Sequence, residues 1–319
     1  MMWSFPTASR AYLLLAAIVA SNNVASSKPL FGSSLRGLGE DDLQLEVFPF
    51  PDNSNSIING EVAGAGDFPW YARFDGDILC GGALVHEDIV VTAAHCIEGN
   101  VPPQVSIGPS TTANGQTRDV CGSVSHPNFR SKELENDIAI LVLCDSANAQ
   151  PALINTDDAS PADAASLTAM GFGRTDPNTG GGSSVLQRID LNYLNGAECS
   201  AVFSAHNDDY NMCVDNPNGG ICFGDSGGPI VDAGGVVYGV ASFIIQECNS
   251  KFPDFYTRMS SYSTWVQNRI CDEAANPPDN CDSLGDDDGP DGGNGGATDC
   301  PFIDFFTELC DTLFGGIFG

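Results

Sequence analysis

The residues of this chain best equipped for chemistry stand in three short motifs. They are His95 in TAAHC at 92–96, Asp137 in NDIAIL at 136–141 and Ser226 in GDSGGP at 224–229. A serine hydroxyl attacks a carbonyl only when a base lies within hydrogen-bond reach. An imidazole fills that role because it takes up and returns a proton near neutral pH. A carboxylate on the far ring nitrogen fixes the tautomer and stabilises the imidazolium. Small residues beside the serine let backbone N–H groups approach a developing oxyanion, and the amides of Gly224 and Ser226 are the candidates. Removing one such donor costs about 2.7–4 kcal/mol of transition-state stabilisation. The pattern points to nucleophilic acyl transfer. The other histidines, His86, His126 and His206, have no such setting and read as loop or surface residues.

Residues this far apart in sequence need a scaffold to bring them together. From Ile57 to about Ile270, short apolar runs alternate with turns rich in Gly, Pro, Asn and Asp. Ile89–Val91, Ile138–Leu143, Ser166–Met170, Val185–Ile189, Pro229–Val231 and Val236–Ala241 read as strands, all but Ser166–Met170 carrying Val or Ile. Many such strands with turn signals between them predict an all-β barrel or sandwich. One helix is expected at Tyr262–Ile270, where Trp265, Val266 and Arg269 fall at helical spacing.

The three motifs, in the order His, Asp, Ser, resemble the trypsin/chymotrypsin family of serine proteases. The resemblance runs from IINGEVAGAGDFPW at 57–70 to the helix around Trp265, with HPNF at 126–129 and GFG at 171–173 in support. It implies two antiparallel six-stranded β-barrels with a C-terminal helix, His95 and Asp137 coming from the first barrel and Ser226 from the second. It implies peptide-bond hydrolysis through this triad, with Ser242 hydrogen-bonded to Asp137. It also implies a zymogen in which a new N-terminus at Ile57 pairs with Asp225. Breaking a buried pair of that kind costs about 3–5 kcal/mol. The residue before Ile57 is Ser56, where the family usually has a basic residue, so an activating protease of different preference is expected.

The resemblance assigns the bridges Cys80–Cys96, Cys199–Cys213 and Cys222–Cys248. Cys121 and Cys144 lie on segments expected to be neighbouring strands and are paired on that ground. Cys271, Cys281, Cys300 and Cys310 remain, with three connectivities open. The specificity pocket departs from the trypsin branch. Gly220, followed by Ile221, stands where that branch has an acid. Ile244 replaces a glycine at the entrance and Asp254 replaces another in the wall. A branched Ile244 favours small or aliphatic side chains, whereas Asp254 either attracts a basic one or takes up a proton. The first of these is preferred.

The chain carries 12 Lys+Arg against 42 Asp+Glu, a formal net charge of −30 over 319 residues. Such a surface repels nucleic acid and anionic membranes, and no nucleic-acid partner is expected. Residues 1–27 read as a signal peptide, with an apolar core at Ala11–Ala20 too short to span a bilayer. No transmembrane segment is expected. Residues 28–56 read as a propeptide, 57–271 as the protease domain, and 272–319 as an acidic, Cys-containing Gly-rich tail. That tail ends in an amphipathic segment at Pro301–Gly319. The leader and the 12 cysteines predict a secreted, disulfide-bonded protein. No metal or other cofactor is expected. Polypeptide substrates are the expected partners, with an activating protease and protein inhibitors beside them. The alternative reading is a catalytically silent protease-like binding protein. An adhesion role for the tail is compatible with either.

Overall fold

The computed structural model of the chain describes residues 47–48, 57–75, 79–174, 182–245, 248, 252–279 and 281. The predicted signal peptide, nearly all of the predicted propeptide and the tail beyond Cys281 lie outside them. Two short strands precede the barrels, β1 (Val47–Phe48) and β2 (Glu61–Val62).

The first barrel is built from β3 (Tyr71–Asp75), β4 (Gly81–His86), β5 (Ile89–Thr92), β6 (Gln104–Ile107), β7 (Gln116–Ser125) and β8 (Ala139–Leu143). Every pairing is antiparallel, in the closed order β3-β4-β5-β8-β7-β6. Its strands point Phe74, Leu84, Val91, Ile107 and Ile140 into one buried cluster. Each such side chain contributes about 1.5–3 kcal/mol relative to exposure.

The second barrel contains β9 (Ser166–Gly171), β10 (Gln187–Leu194), β11 (Asn211–Asp215), β12 (Pro229–Val231), β13 (Val237–Ile245) and β14 (Asp254–Arg258). The order β12-β9-β10-β11-β14 closes on itself because β13 pairs with both β12 and β14. The fold is therefore the expected pair of six-stranded antiparallel barrels. Closure leaves few free edges; β2 adds to β10, and β1 adds to β13.

The closing helix is longer than predicted, running from Met259 to Glu273. Its residues Met259, Tyr262, Trp265 and Val266 belong to the same buried cluster as the first barrel's core. The chain thus leaves the second barrel at β14 and clamps onto the first. A second helix, Gly196–Val202 (α1; the closing helix is α2), was not anticipated. Asn195 caps it, accepting from the Ala197 and Glu198 amides, while Glu198 reaches back to the Asn195 amide.

Candidate active site

His95 lies in a single turn of 3-10 helix, Ala94–Cys96, directly after β5. Asp137 lies one residue before the buried run that opens β8, and it is fully buried. Because β5 pairs with β8, with Thr92 opposite Ala139, the residues just beyond those two ends meet. The Asp137 carboxylate takes the His95 backbone N–H on Oδ1 at 2.9 Å and faces His95 Nδ1 with Oδ2 at 2.7 Å. The ring is thereby held by its backbone and by one nitrogen, which leaves Nε2 as the proton acceptor. Ser242, on β13 of the other barrel, donates its hydroxyl to the same Oδ2 at 2.6 Å. Thr257, on β14, donates to the Asp137 carbonyl at 2.8 Å. Asn136 bends the chain into position with a φ of 54° and receives the Tyr262 hydroxyl at 2.9 Å.

Ser226 stands on the tight loop that leads into β12. The loop is stitched to both barrels: Gly81 donates to the Ser226 carbonyl at 2.7 Å, and Gly227 donates to the Ala241 carbonyl at 2.8 Å. Gly227 has a φ of 72°, and a Cβ there would lie 2.3 Å from Thr92 Oγ1 and 3.2 Å from the Ala93 nitrogen. The serine loop therefore abuts the residues immediately before His95. The Ser226 hydroxyl is buried and has no hydrogen-bond partner among the described residues. Nor do the Gly224 and Ser226 amides donate to any acceptor among them. Gly224, with a φ of 96°, aims its N–H in a way a larger residue could not adopt without strain. Two N–H groups and a hydroxyl without partners among the described residues are the groups that stabilisation of an oxyanion calls for.

Asp225 points the opposite way, into the second barrel. Its Oδ2 accepts from the Ile57 nitrogen at 2.9 Å and from Cys222 N–H at 3.0 Å, and its Oδ1 accepts from Gly173 N–H at 3.0 Å. Burial pushes the carboxyl up to about 7, and these three backbone donors hold it back. Ile57 is fully buried, and Ile58 bridges to Gly220.

The four pocket residues come together. The Asp254 carboxylate accepts the Ile221 N–H at 2.8 Å, and a Cβ on Gly220 would lie 2.5 Å from Asp254 Oδ2. Ile244 is the register partner of Asp254 across β13 and β14. Burial, with Asp225 and Asp215 adding to it, pushes Asp254 up to about 8 against the lowering effect of the Ile221 amide.

The structure contains the bridges Cys80–Cys96, Cys121–Cys144, Cys199–Cys213 and Cys222–Cys248. It also joins Cys271 to Cys281, which narrows the three open connectivities; Cys300 and Cys310 lie outside the described residues. Cys80, His95 and Cys96 cluster within 4.8 Å, yet both sulfurs are spent on their disulfide, so the group offers a metal only one imidazole.

His126 and His206 lie in loops, as expected, but their side chains are not at the surface, and His86 belongs to a strand. His126 is buried between Tyr262 and Trp265, with ring centroids 5.3 and 5.2 Å away. His206 is buried in its side chain and bonds Asp208, and His86 ends β4 against Asp88. Each ring has an apolar wall or a carboxylate as neighbour, which sequence position alone does not reveal. Thr257, Gly171 and Gly173 are site residues that sequence reasoning left without a role. A Cβ on Gly171 would fall 2.0 Å from Asp225 Oδ1. The GFG run was the signal for the two glycines.

The sequence profile of the family described as Trypsin matches residues 57–266. Brachyurin of Leptuca pugilator is 31% identical over 224 residues, covering 66% of this chain and 97% of that protein. Fibrinolytic enzyme, isozyme C, of Lumbricus rubellus is 32% identical over 238 residues, 66% of this chain and 98% of its own length. Trypsin of Sus scrofa is 29% identical over 231 residues, 69% and 99% respectively. No helix among the described residues is long and apolar enough to cross a membrane.

Proposed function

The chain belongs to the trypsin family of serine proteases, and from that premise we propose that it is a secreted serine endopeptidase made as a zymogen, with Ser226 as nucleophile. Residues 1–27 serve as the secretory leader, 28–56 as the propeptide and 57–271 as the protease domain. The observation that carries the reading is the buried, unpaired Ser226 hydroxyl on a loop packed against the segment of His95, whose ring is fixed by Asp137.

In the reaction, His95 Nε2 removes the Ser226 proton as Oγ bonds to the substrate carbonyl carbon. The Gly224 and Ser226 amides take the resulting oxyanion. The imidazolium, stabilised by Asp137, gives its proton to the departing amine as the C–N bond breaks, leaving an acyl-enzyme. Water, deprotonated by the same ring, releases the acid and restores the serine. Ser242 and Thr257 hold Asp137 and act only through it.

Activation is cleavage of the Ser56–Ile57 bond. It turns the Ile57 nitrogen, already 2.9 Å from Asp225, from a neutral amide into an ammonium. The charge then favours an ionised Asp225 and orders the loop that presents Gly224 and Ser226.

The processed protein is expected to label with a fluorophosphonate and to hydrolyse a protein substrate, and its N-terminus is expected to read Ile57. Ser226→Ala should abolish labelling and lower kcat by about six orders of magnitude. A folded, processed protein that neither labels nor cleaves would leave the binding-protein reading in its place.

A further inference from the structure

Strand β13 borders the active site along one edge, and that edge can be followed residue by residue. From Val237 to Val240 it is paired with β12. At Ala241 it exchanges hydrogen bonds with Gly227 and Gly228, the two residues after Ser226, both at 2.8 Å. Beyond Ser242 no strand of the barrel among the described residues pairs on this side, since β14 occupies the opposite edge, with Asp254 paired to Ile244. The open stretch is filled by β1, antiparallel, with Val47 opposite Ile245 and Phe48 opposite Ile244. Antiparallel pairing sets a direction: the chain passing from Val47 to Phe48 advances along β13 toward Ser242 and the Ser226 loop.

We propose that the open edge of β13 at Ile244–Ile245 is a docking site for the chain's own upstream segment around Val47–Phe48, which there competes with extended polypeptide for the cleft. The competition rests on the reading of Ser226 as nucleophile; the docking does not. Strand addition to a free edge recruits main-chain hydrogen bonds whatever the side chains, and the covalent link supplies a high effective concentration for a short strand. The sequence suits the role. Leu43, Leu45 and Val47 alternate with Gln44 and Glu46, the period of a strand. The bonds after Phe48 and Phe50 both lead into prolines, Pro49 and Pro51. A proline nitrogen carries no N–H, and its ring restricts the residue before it, so these bonds are poor substrates for a protease. The first cysteine after residue 28 is Cys80, so no disulfide retains the segment once the chain is cut before Ile57. Processing therefore creates the new N-terminus and frees the cleft in one step.

The test compares the full-length wild type with full-length protein carrying Val47→Pro and Phe48→Pro, which removes both N–H donors of β1. Of the Ile244 and Ile245 amides, the one that faces β1 is expected to exchange with deuterium roughly three- to tenfold faster in the variant, the loss of the ladder hydrogen bond it donates, while the barrel cores are unchanged. A peptidyl phosphonate is expected to label Ser226 several-fold faster in the variant. Unchanged exchange overturns the docking. Faster exchange with unchanged labelling overturns the competition. Faster exchange with no labelling of either protein, nor of wild type processed to begin at Ile57, leaves the docking standing and removes the protease reading instead.

Discussion

Among the described residues, Asp225 accepts three backbone N–H groups, whereas Asp254 accepts the Ile221 amide alone. Both are buried, and the poorer supply of donors leaves Asp254 at about 8, largely protonated at neutral pH. In the proposed pocket, a neutral Asp254 in the wall beside Ile244 suits small apolar side chains, and an ionised one attracts Lys or Arg. The ratio of kcat/KM for substrates with a basic residue before the cleaved bond to those with Ala or Leu should therefore rise with pH. Below about 8 the rise is expected to approach tenfold per pH unit, with a plateau above. Taking a ratio cancels the titration of groups common to both reactions, and Asp254→Asn should flatten it. A flat ratio in the wild type would remove Asp254 from specificity. The same shift bears on stability. Between 3.8, the ordinary value, and about 8, the folded protein holds a proton that the unfolded chain has lost, so this group's contribution falls as pH rises through that window. Sequence alone marks Asp254 and Gly220 as departures, but the burial and the single N–H partner depend on β13, β14 and the 220–222 loop converging.

The barrels meet at a contact with almost no slack, and Gly227 is its tightest point. An alanine there would occupy the left-handed region and drive its Cβ to 2.3 Å from Thr92 Oγ1 and 2.5 Å from the Gly81 carbonyl. Left-handed strain of about 1–2 kcal/mol and overpacking of about 1–3 kcal/mol should lower the melting temperature by on the order of 10 °C. Gly66→Ala is the control: its φ is also positive, at 86°, but nothing lies within 4 Å, so only the strain applies. Comparable melting losses in the two variants, measured by differential scanning calorimetry, would mean that the contact is looser than its geometry. The strands were legible because Ile89–Val91, Ser166–Met170 and Pro229–Val231 are β-branched and apolar runs; they reappear in β5, β9 and β12. The fourth run was placed too early, since β10 extends through Asn192 and Tyr193, whose alternating burial suits a strand with one wet face. Helix α1 was missed because seven residues are too few for an apolar stripe; its capping residues, Asn195 and Glu198, were the available sign.

Over the whole chain, 42 acidic residues stand against only 12 basic ones, and the protein has to admit polypeptide. A field of this sign raises the encounter rate of cationic chains and lowers that of anionic ones. Its reach is set by salt: the screening length is about 30 Å at 0.01 M and about 8 Å at 0.15 M. The effect separates from the Asp254 pocket if lysines are placed several residues from the cleaved bond and the residue before that bond is Ala or Leu. Raising ionic strength across that range should lower kcat/KM several-fold for the lysine-bearing peptide, mainly through association. A neutral peptide of the same central sequence should change by less than about twofold, and one bearing glutamates should be cleaved faster. Equal sensitivity of all three would trace the salt effect to the fold instead of the field. The charge was fully legible in the sequence, because net charge needs no geometry. The contact of His95 with Asp137 and the packing of the Ser226 loop against the segment before His95 were legible only through their motifs, since it takes two barrels closing separately, and a helix clamping onto the first, to bring those segments together.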